Sequence, residues 1–321
     1  MQVWHALCEV DRQQLEPTVV TIGNFDGVHL GHRHVIEQAR ELAAQHGGLP
    51  VVAVSFEPHP LRVVAPDSAP VALTSLERRL DLLAAAGVDA ALVLPFTAEL
   101  AQLSAEDFVT TIVFETLQAR GVVVGDNFRY GKGARGDVTL LKSLCDGREV
   151  DVVGVPLDGR GDQRWSSTYV RACVAGGEVE SAAEALGRPH SIEGYVVRGE
   201  QRGRELGYPT ANVPVPGTQT AVPADGVYAG WLRRLDEGSA PWWPAAISVG
   251  TNPTFDGTDR RVESYVLDRD DLELYDALVE VAFTARLRGM VKFDTVDALV
   301  DQMRQDVDRA RDLLTDPPVR L

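Results

Sequence analysis

The sequence predicts two domains, a doubly wound parallel α/β domain followed by a small antiparallel β-barrel with a C-terminal helix. Three observations predict this arrangement. The first half alternates short apolar runs with helical stripes of ten or more residues, which is typical of a parallel sheet. Beyond Leu186 the apolar runs are short and turn-rich spacers separate them, which indicates antiparallel strands. The length of 321 residues exceeds what one hydrophobic core usually serves.

In the first half, the strands are predicted at 19–22, 51–56, 90–94, 121–124 and 150–153. A helix that begins near His32 has one apolar stripe, formed by Val35, Ile36, Ala39, Leu42 and Ala43. A second helix is predicted over 75–86. Ser104 followed by Asp107 is typical of a capped helix start.

In the second half, the strands are predicted at 195–197, 227–233, 246–249, 261–267 and 279–286. A helix is predicted over 295–314, with an apolar stripe formed by Val296, Leu299, Val300, Met303 and Val307. The helix breakers in the segment GRPH, 187–190, predict the boundary between domains 1–186 and 187–321.

Charge and cysteine content exclude several classes of protein. Lys plus Arg number 31 and Asp plus Glu 47, and the net charge of −16 disfavours a general nucleic-acid binder. Three widely spaced cysteines predict neither a disulfide framework nor a zinc cluster. The sequence shows no signal peptide and no membrane span, so we expect a cytoplasmic protein without a membrane partner. A homo-oligomer is compatible with the sequence, which does not specify one.

The densest chemistry lies in GNFDGVHLGH, 23–32, between a predicted strand and a predicted helix start. A helix N-terminus presents unpaired amides and a positive dipole end to an anion. His29 and His32 can donate to phosphate oxygens there as charge builds at an α-phosphate. A capping or surface role is the alternative for each histidine alone. Metal ligation with His34 is another, although no cysteine or acidic cluster supports it.

Three further segments of the first half carry candidate binding residues, and the second of them suits a phosphate and a planar ring. They are SFEPHP at 55–60, the Gly-rich basic and aromatic loop GDNFRYGKGARGD at 125–137, and WSSTYVR at 165–171. The last predicts a helix start at which Ser166, Ser167 and Thr168 can hold phosphate, with Arg171 directed toward the same end. A solvated turn and a plain N-cap are the alternatives for the second and third segments.

The second half contains a loop of similar character, RGEQRGRELGYPTANV at 198–213. Its glycines let backbone amides approach phosphate, and its arginines add charge. Thr210 and Asn212 are two residues apart on an extended segment and therefore share a side. Two neutral oxygens suit Mg²⁺, which keeps waters and substrate phosphates. A basic surface hairpin is the alternative.

The segment RVESYVLD offers a base. By strand parity Arg261, Glu263 and Tyr265 share one face. If that face is interior, Glu263 can accept a hydroxyl proton beside a ligand. If it is exposed, Glu263 pairs with Arg261 or a neighbouring strand, and the sequence favours neither arrangement.

The first-half motifs, in their order, resemble the adenylyltransferase half of the bacterial bifunctional riboflavin kinase/FMN adenylyltransferases (FAD synthetases). These have a Rossmann-like domain of the HxGH nucleotidyltransferase superfamily. The resemblance implies that His29 and His32 are catalytic at the ATP α-phosphate. It implies that the ATP phosphates are bound by Gly23, Asn24, Phe25, Asp26, Ser166, Ser167, Thr168 and Arg171. It implies FMN contacts from Phe56, Pro58, His59, Pro60, Asn127, Phe128 and Arg129. Trp165 departs from the family, which more often has Ile there.

The second half resembles the riboflavin kinase domain of the same family, a six-stranded β-barrel. The resemblance implies that Glu263 is the base and that Thr210 and Asn212 bind Mg²⁺–ATP. It implies that ATP is also bound by Gly199, Arg202, Gly203, Arg204, Gly207 and Pro209. Tyr265 and Met290 depart from the His and Glu that are usual at their positions.

The sequence therefore predicts one enzyme with two sequential reactions, riboflavin to FMN and FMN to FAD, with Mg²⁺ and ATP. Its partners would be small molecules only. One alternative is a different HxGH enzyme with an appended binding module, which the PTAN segment and Glu263 disfavour. The other is a flavin-binding regulator without turnover.

Overall fold

A computed structural model describes residues 1–318 except 157–158, 161–162, 200–205, 219, 237, 239 and 255–256. Its contacts divide the chain into two compact units. The N-terminal unit comprises Met1–Pro70 and Leu76–Trp165, and the C-terminal unit comprises Val71–Ser75 and the chain from Ser166 onward. The helices between Ser166 and the predicted boundary at 186/187 thus pack with the second unit.

The N-terminal unit has a six-stranded parallel sheet in the order β1-β4-β3-β2-β5-β6. Nearly every residue of β2 and β3 is buried, as expected for a parallel sheet covered on both faces. The strands are β1 (Gln2–Trp4), β2 (Thr18–Ile22), β3 (Val51–Glu57), β4 (Ala90–Pro95), β5 (Ala119–Gly125) and β6 (Asp151–Val155). A two-stranded hairpin follows, β7 (Gly159–Arg160) and β8 (Gln163–Arg164).

Helices connect these strands. They are α1 (Leu30–Gln45), α2 (Pro60–Val64), α3 (Leu76–Ala85), α4 (Ala105–Phe108) and α5 (Val138–Cys145). The stripe predicted for α1 is confirmed, because the same five residues are the buried ones of that helix. The predicted cap at Ser104 is also confirmed: its Oγ accepts the amide hydrogen of Asp107 at 2.9 Å. After α4 the chain continues as a π-helix over Val109–Thr116. Short 3₁₀ segments lie at Leu7–Glu9, Pro66–Ser68, Leu100–Gln102 and Lys132–Ala134.

The C-terminal unit confirms the predicted antiparallel architecture as a curled six-stranded half-barrel in the order β10-β13-β12-β11-β14-β9. Its strands are β9 (His190–Tyr195), β10 (Thr210–Pro214), β11 (Gly226–Arg234), β12 (Trp243–Thr254), β13 (Gly257–Val266) and β14 (Leu278–Arg288). Its helices are α6 (Ser167–Gly176), α7 (Val179–Leu186) and the C-terminal α8 (Val296–Leu313), with a 3₁₀ turn at Val215–Gly217.

The segment Val71–Ser75 is tied to the C-terminal unit by hydrogen bonds. The amide of Ala221 donates to the carbonyl of Ala72 at 2.7 Å, and Ser75 Oγ donates to Glu193 Oε2 at 2.8 Å.

The barrel core contains Tyr228 and Phe283, whose rings meet edge to face at 5.5 Å. Gly187 ends α7 in a left-handed conformation, so the predicted helix breaker acts where expected.

Replacing a stripe residue of α1 tests the packing of the N-terminal unit. Ile36 is fully buried and packs in one cluster with Phe25 and Val28 of the 23–32 loop. We expect Ile36→Ala to lower the free energy of unfolding by about 2–5 kcal/mol, through lost burial and a residual cavity. Urea denaturation measures this. Val64→Ala, at a side chain that is 57% exposed, is the control and should change stability little.

Candidate active sites

The loop 23–32 leaves β2 in a backbone conformation that only packing can hold. Phe25 and Val28 have φ of 49° and 39°, in the left-handed region that side chains with a Cβ rarely adopt, and Gly27 between them has φ of 80°. Phe25 and Val28 are 2% and 1% exposed, so the core fixes both side chains. Backbone strain of this kind clusters at functional sites because it holds groups in place before a ligand arrives.

His29 both caps α1 and contacts its partner histidine. Its Nδ1 accepts the amide hydrogen of His32 at 3.3 Å, and the two rings stack with centroids 3.7 Å apart. Because Nδ1 is an acceptor, the proton of the neutral ring lies on Nε2, which is then a donor. A Cβ at Gly31 would lie 3.1 Å from His29 Cε1, so glycine is what allows this close approach. The capping role that the sequence left open for His29 is therefore a real contact. The same contact determines which ring nitrogen of His29 carries the proton.

His32 is held neutral. Burial of its ring lowers the pKa of His32 well below its usual value, and electrostatic interactions with His29 and Arg79 lower it further. Its Nδ1 is buried and has no hydrogen-bond partner within the described part of the chain. The edge of Phe25 packs against the ring at 5.3 Å. The neutral ring of His32, with one nitrogen that has no partner among the described residues, thus lies beside the capping residue His29.

A chain of hydrogen bonds connects this loop to the end of β3. Ser55 Oγ donates to the carbonyl of Asn24 at 3.2 Å, and the Asn24 amide lies 3.2 Å from His59 Nε2. Arg79 is 5% exposed and approaches Ser55 Oγ at 3.5 Å. The sequence analysis missed Arg79. The signal that could have found it is its spacing: Arg79 falls on the apolar face of α3, where it is buried together with Leu82 and Leu83.

The remaining residues of the first two motifs are mostly enclosed. The Gly23 amide donates to the carbonyl of Val54 at 3.1 Å, and Asp26 is buried. Phe56 is 8% exposed and packs edge to face on Phe96, which leaves its ring little surface for a ligand. The Glu57–Pro58 bond is cis, and Pro60 begins α2 with His59 as its N-cap, whose side chain accepts the amide hydrogen of Leu61 at 3.2 Å.

The 125–137 loop presents polar groups over an aromatic base. Phe128 is half-buried and stacks on Tyr130 with ring centroids 5.3 Å apart. Asn127 and Arg129 are exposed, and Arg129 pairs with Asp137 at 3.3 Å. A bridge between Tyr130 and Gly136 closes the loop. Burial raises the pKa of Tyr130 to about 12, so its hydroxyl stays protonated.

The serine-rich motif belongs to the C-terminal unit, and its helix start is as predicted. Ser166 caps α6 by accepting the amide hydrogen of Tyr169 at 3.1 Å. Ser167 and Thr168 lie in the first turn, and Thr168 is exposed. Arg171 donates from Nε to the carbonyl of Val71 at 2.7 Å.

The second half of the chain forms a cavity of about 430 Å³ within the C-terminal unit. Among its lining residues, the antiparallel register pairs Asn212 of β10 with Glu263 of β13, and Thr210 with Tyr265. Asn212 Nδ2 donates to Thr210 Oγ1 at 3.2 Å, so these two side chains share a side as predicted. Glu263 is one of the residues that line the cavity. The cavity also has an apolar wall, which is formed by Met290, Val291, Phe293, Leu299, Met303 and Val307.

The loop before β10 also reaches this cavity. A Cβ at Gly199 would lie 2.8–2.9 Å from the amide group of Asn212, so a larger residue there would displace that side chain. Gly207 has φ of 87°, and Pro209 lines the cavity. Arg202, Gly203 and Arg204 lie outside the described residues.

The two departures from the family both face the cavity. Tyr265 meets Tyr208 edge to face at 5.1 Å, and burial raises the pKa of its hydroxyl. Met290 is 54% exposed and lies against Gly250.

Across the described residues, no cluster of three or more His, Cys, Asp or Glu side chains is arranged to bind a metal. None of the described helices is both long and apolar enough to cross a bilayer.

Both halves match known families. The family model for FAD synthetase matches residues 11–169, and the family model for riboflavin kinase matches residues 186–314. The bifunctional riboflavin kinase/FMN adenylyltransferase of Escherichia coli is 35% identical over 99% of this chain and 100% of its own length. The chain belongs to the bifunctional riboflavin kinase/FMN adenylyltransferase family. The prediction of an FAD synthetase domain followed by a riboflavin kinase domain is therefore confirmed.

Other members of the riboflavin kinase/FMN adenylyltransferase family show similar agreement. The relative from Pseudomonas fluorescens is 37% identical over 92% of each chain, and that from Bacillus subtilis is 31% identical over 93% of each. The crystal structure of a macrolide-efflux protein from Streptococcus pneumoniae is 32% identical. It covers 94% of this chain and 96% of its own, with a TM-score of 0.82, so it shares the fold.

The lowered pKa of His32 predicts a pH dependence of stability. The folded state resists protonating this ring, so the unfolded state binds more protons as the pH falls below about 6.5. The stability that the neutral ring contributes is thus present above that pH and is lost on acidification. We expect His32→Gln to flatten the fall in unfolding free energy between about pH 7 and pH 5. Urea denaturation at several pH values measures it, with the exposed His5→Gln as control; equal slopes for wild type and His32→Gln would contradict the assignment.

Proposed function

We propose that the chain converts riboflavin to FAD in two ATP-dependent steps that use separate sites. The C-terminal cavity phosphorylates riboflavin, and the histidine pair of the N-terminal unit catalyses adenylyl transfer to FMN. The observation that carries the proposal is the pairing of Asn212 with Glu263, with Thr210 beside them in the lining of one cavity. A carboxylate, two neutral oxygen ligands and an apolar wall suit a flat ring that carries a hydroxyl at the end of a side chain.

In the kinase step, the terminal hydroxyl oxygen of riboflavin attacks the γ-phosphorus of ATP, and ADP leaves. We assign Glu263 as the group that accepts the hydroxyl proton. An alcohol is a weak nucleophile at neutral pH, so a nearby proton acceptor lowers the barrier. Positioning and electrostatic stabilisation of the transferred phosphoryl group contribute the rest.

Thr210 and Asn212 fit Mg²⁺. Asn212 donates its amide hydrogens to Thr210, so within the described residues its Oδ1 makes no hydrogen bond and can face a cation, and the close approach of Gly199 shapes the cradle. We propose that Thr210 and Asn212 would hold the ion together with ATP phosphates, because Mg²⁺ keeps few protein ligands. When bound, the ion would neutralise charge on the phosphates. Gly199, Gly207 and Pro209, with Arg202, Gly203 and Arg204, are proposed to bind ATP.

In the adenylyl transfer step, a phosphate oxygen of FMN attacks the α-phosphorus of ATP, and pyrophosphate leaves. This nucleophile is already ionised, so the site needs donors rather than a base. We propose that His29 Nε2 and His32 donate to the oxygens on which negative charge builds. The stacked pair at the start of α1 also benefits from the helix dipole.

Ligand contacts of the adenylyl transfer site follow from the family resemblance. We propose that the ATP phosphates are bound by Gly23, Asn24, Phe25, Asp26, Ser166, Ser167, Thr168 and Arg171. FMN is proposed to contact Pro58, His59, Pro60, Asn127, Phe128 and Arg129, with Phe56 as the buried support of that surface. The domain boundary at 186/187 and a cytoplasmic location remain part of the proposal; three free cysteines are in keeping with a reducing compartment.

Removing the second imidazole should separate the two activities. We expect His32→Ala to lower FAD formation from FMN by about 10²–10³-fold, because a donor to the transition state is lost. FMN formation from riboflavin should stay within about twofold. Chromatographic separation of flavins after incubation with ATP and Mg²⁺ measures both rates. His34→Ala, on the same helix, is the matched control and should leave both unchanged.

Removing the carboxylate of β13 should have the opposite effect. We expect Glu263→Ala to lower FMN formation by about 10²–10⁴-fold, because the hydroxyl loses its proton acceptor. Adenylylation of supplied FMN should persist, and the same chromatographic assay measures it. A folded Glu263→Ala protein that loses both activities would refute the division of labour.

A further inference from the structure

The apolar wall of the kinase cavity depends on how α8 is attached. Leu299, Met303 and Val307 follow one another at intervals of four residues, so they form one row along the helix. All three line the cavity. Any rotation or shift of α8 therefore moves the whole row relative to Thr210, Asn212 and Glu263.

One buried ion pair fixes α8 to the end of β14. Arg288, the last residue of β14, binds both carboxylate oxygens of Asp306 of α8, with Nε 3.1 Å from Oδ1 and Nη2 2.8 Å from Oδ2. The Asp306 side chain is 4% exposed and that of Arg288 is 18% exposed. Gln302 Nε2 also donates to Oδ1 of Asp306 at 3.1 Å. Both Arg288 and Asp306 line the cavity.

Packing alone does not account for this pair. A buried ion pair loses hydration on both partners, and apolar residues of similar volume are often at least as stabilising. What a bidentate fork adds is a defined distance and orientation. Arg288 also lies over the ring of Phe293, 5.8 Å from its centroid, and Phe293 belongs to the apolar wall.

We propose that Arg288 and Asp306 are positioning residues of the kinase site, which fix α8 and thereby set the fit of the apolar wall to the flavin ring. This inference rests on the proposed function, because it takes riboflavin as the ligand of the cavity. Neither residue needs to touch the reacting atoms. Their loss should therefore weaken riboflavin binding and leave phosphoryl transfer from bound substrate nearly intact.

The test compares two α8 ion pairs in the full-length chain. Asp306→Asn removes one charge of the buried pair while keeping the side-chain shape. Asp268→Asn removes the matched charge of an exposed pair, in which Arg311 of α8 lies 2.9 Å from Asp268. Initial rates of FMN formation are measured at varied riboflavin and at varied ATP. Riboflavin affinity is measured separately by fluorescence quenching with Mg²⁺ and ADP, which needs no turnover.

We expect Asp306→Asn to raise the KM and the Kd for riboflavin about tenfold, equivalent to about 1.4 kcal/mol. The kcat and the KM for ATP should stay within about twofold, and Asp268→Asn should resemble the wild type throughout. Arg288→Lys, which keeps the charge but has no fork, should shift riboflavin affinity in the same direction. If Asp306→Asn does not fold, the riboflavin affinity of Arg288→Lys tests the inference instead.

A folded Asp306→Asn protein with wild-type riboflavin affinity would overturn the inference. A loss confined to kcat would overturn it as well, since a merely structural role lowers the active fraction and leaves affinity unchanged. Failure of the proposed function is distinguishable: the wild type would then make no FMN, while the quenching measurement would still compare the affinities of the variants.

Discussion

The register between β10 and β13 is the constraint on which the kinase site depends. Side chains alternate between the two faces of a strand, so a slip of one residue would move Glu263 from the cavity to the opposite face. The buried neighbours prevent this. Val213 pairs with Val262, and Ala211 pairs with Ser264, and all four are nearly or fully buried. The alternation that fills the core of the half-barrel thus also presents the carboxylate beside Asn212 and Thr210.

The N-terminal site is fixed by a different means. There the chemistry lies at a helix start, and the 23–32 loop must deliver His29 to the capping position of α1 in a strained backbone conformation. Buried Phe25 and Val28 hold that conformation through contacts with Ile36 of the same helix. The capping contact then determines which nitrogen of His29 is the donor. In both units, residues that belong to the core determine where the reactive groups point.

Periodic elements were predictable from the sequence, and single buried charges were not. The stripe of α1 and the strands 19–22, 51–56 and 90–94 follow from apolar spacing alone, and all are confirmed. The predicted stripe of α8 was only partly right: Val296 is 61% exposed, and the buried positions are Asp306 and Ala310. Asp306 and Arg79 escape an analysis of apolar patterns because each is buried with its charge. The orientation of Glu263 also required the pairing partner, since parity within one strand defines a face but not what covers it.

The two sites differ in charge in a way that matches their nucleophiles. A flavin alcohol is neutral and must lose a proton as it attacks, and the kinase cavity accordingly presents a carboxylate. An FMN phosphate is already an anion and needs no proton acceptor, although the buried carboxyl group of Asp26 also lies in the 23–32 loop. The N-terminal site instead places a buried cation, Arg79, and two imidazoles near the helix start. Burial, His29 and Arg79 favour the neutral form of His32 in the free protein, and negative charge from a bound phosphate would act in the opposite direction. The donor capacity of that ring therefore increases with the charge that it is required to stabilise.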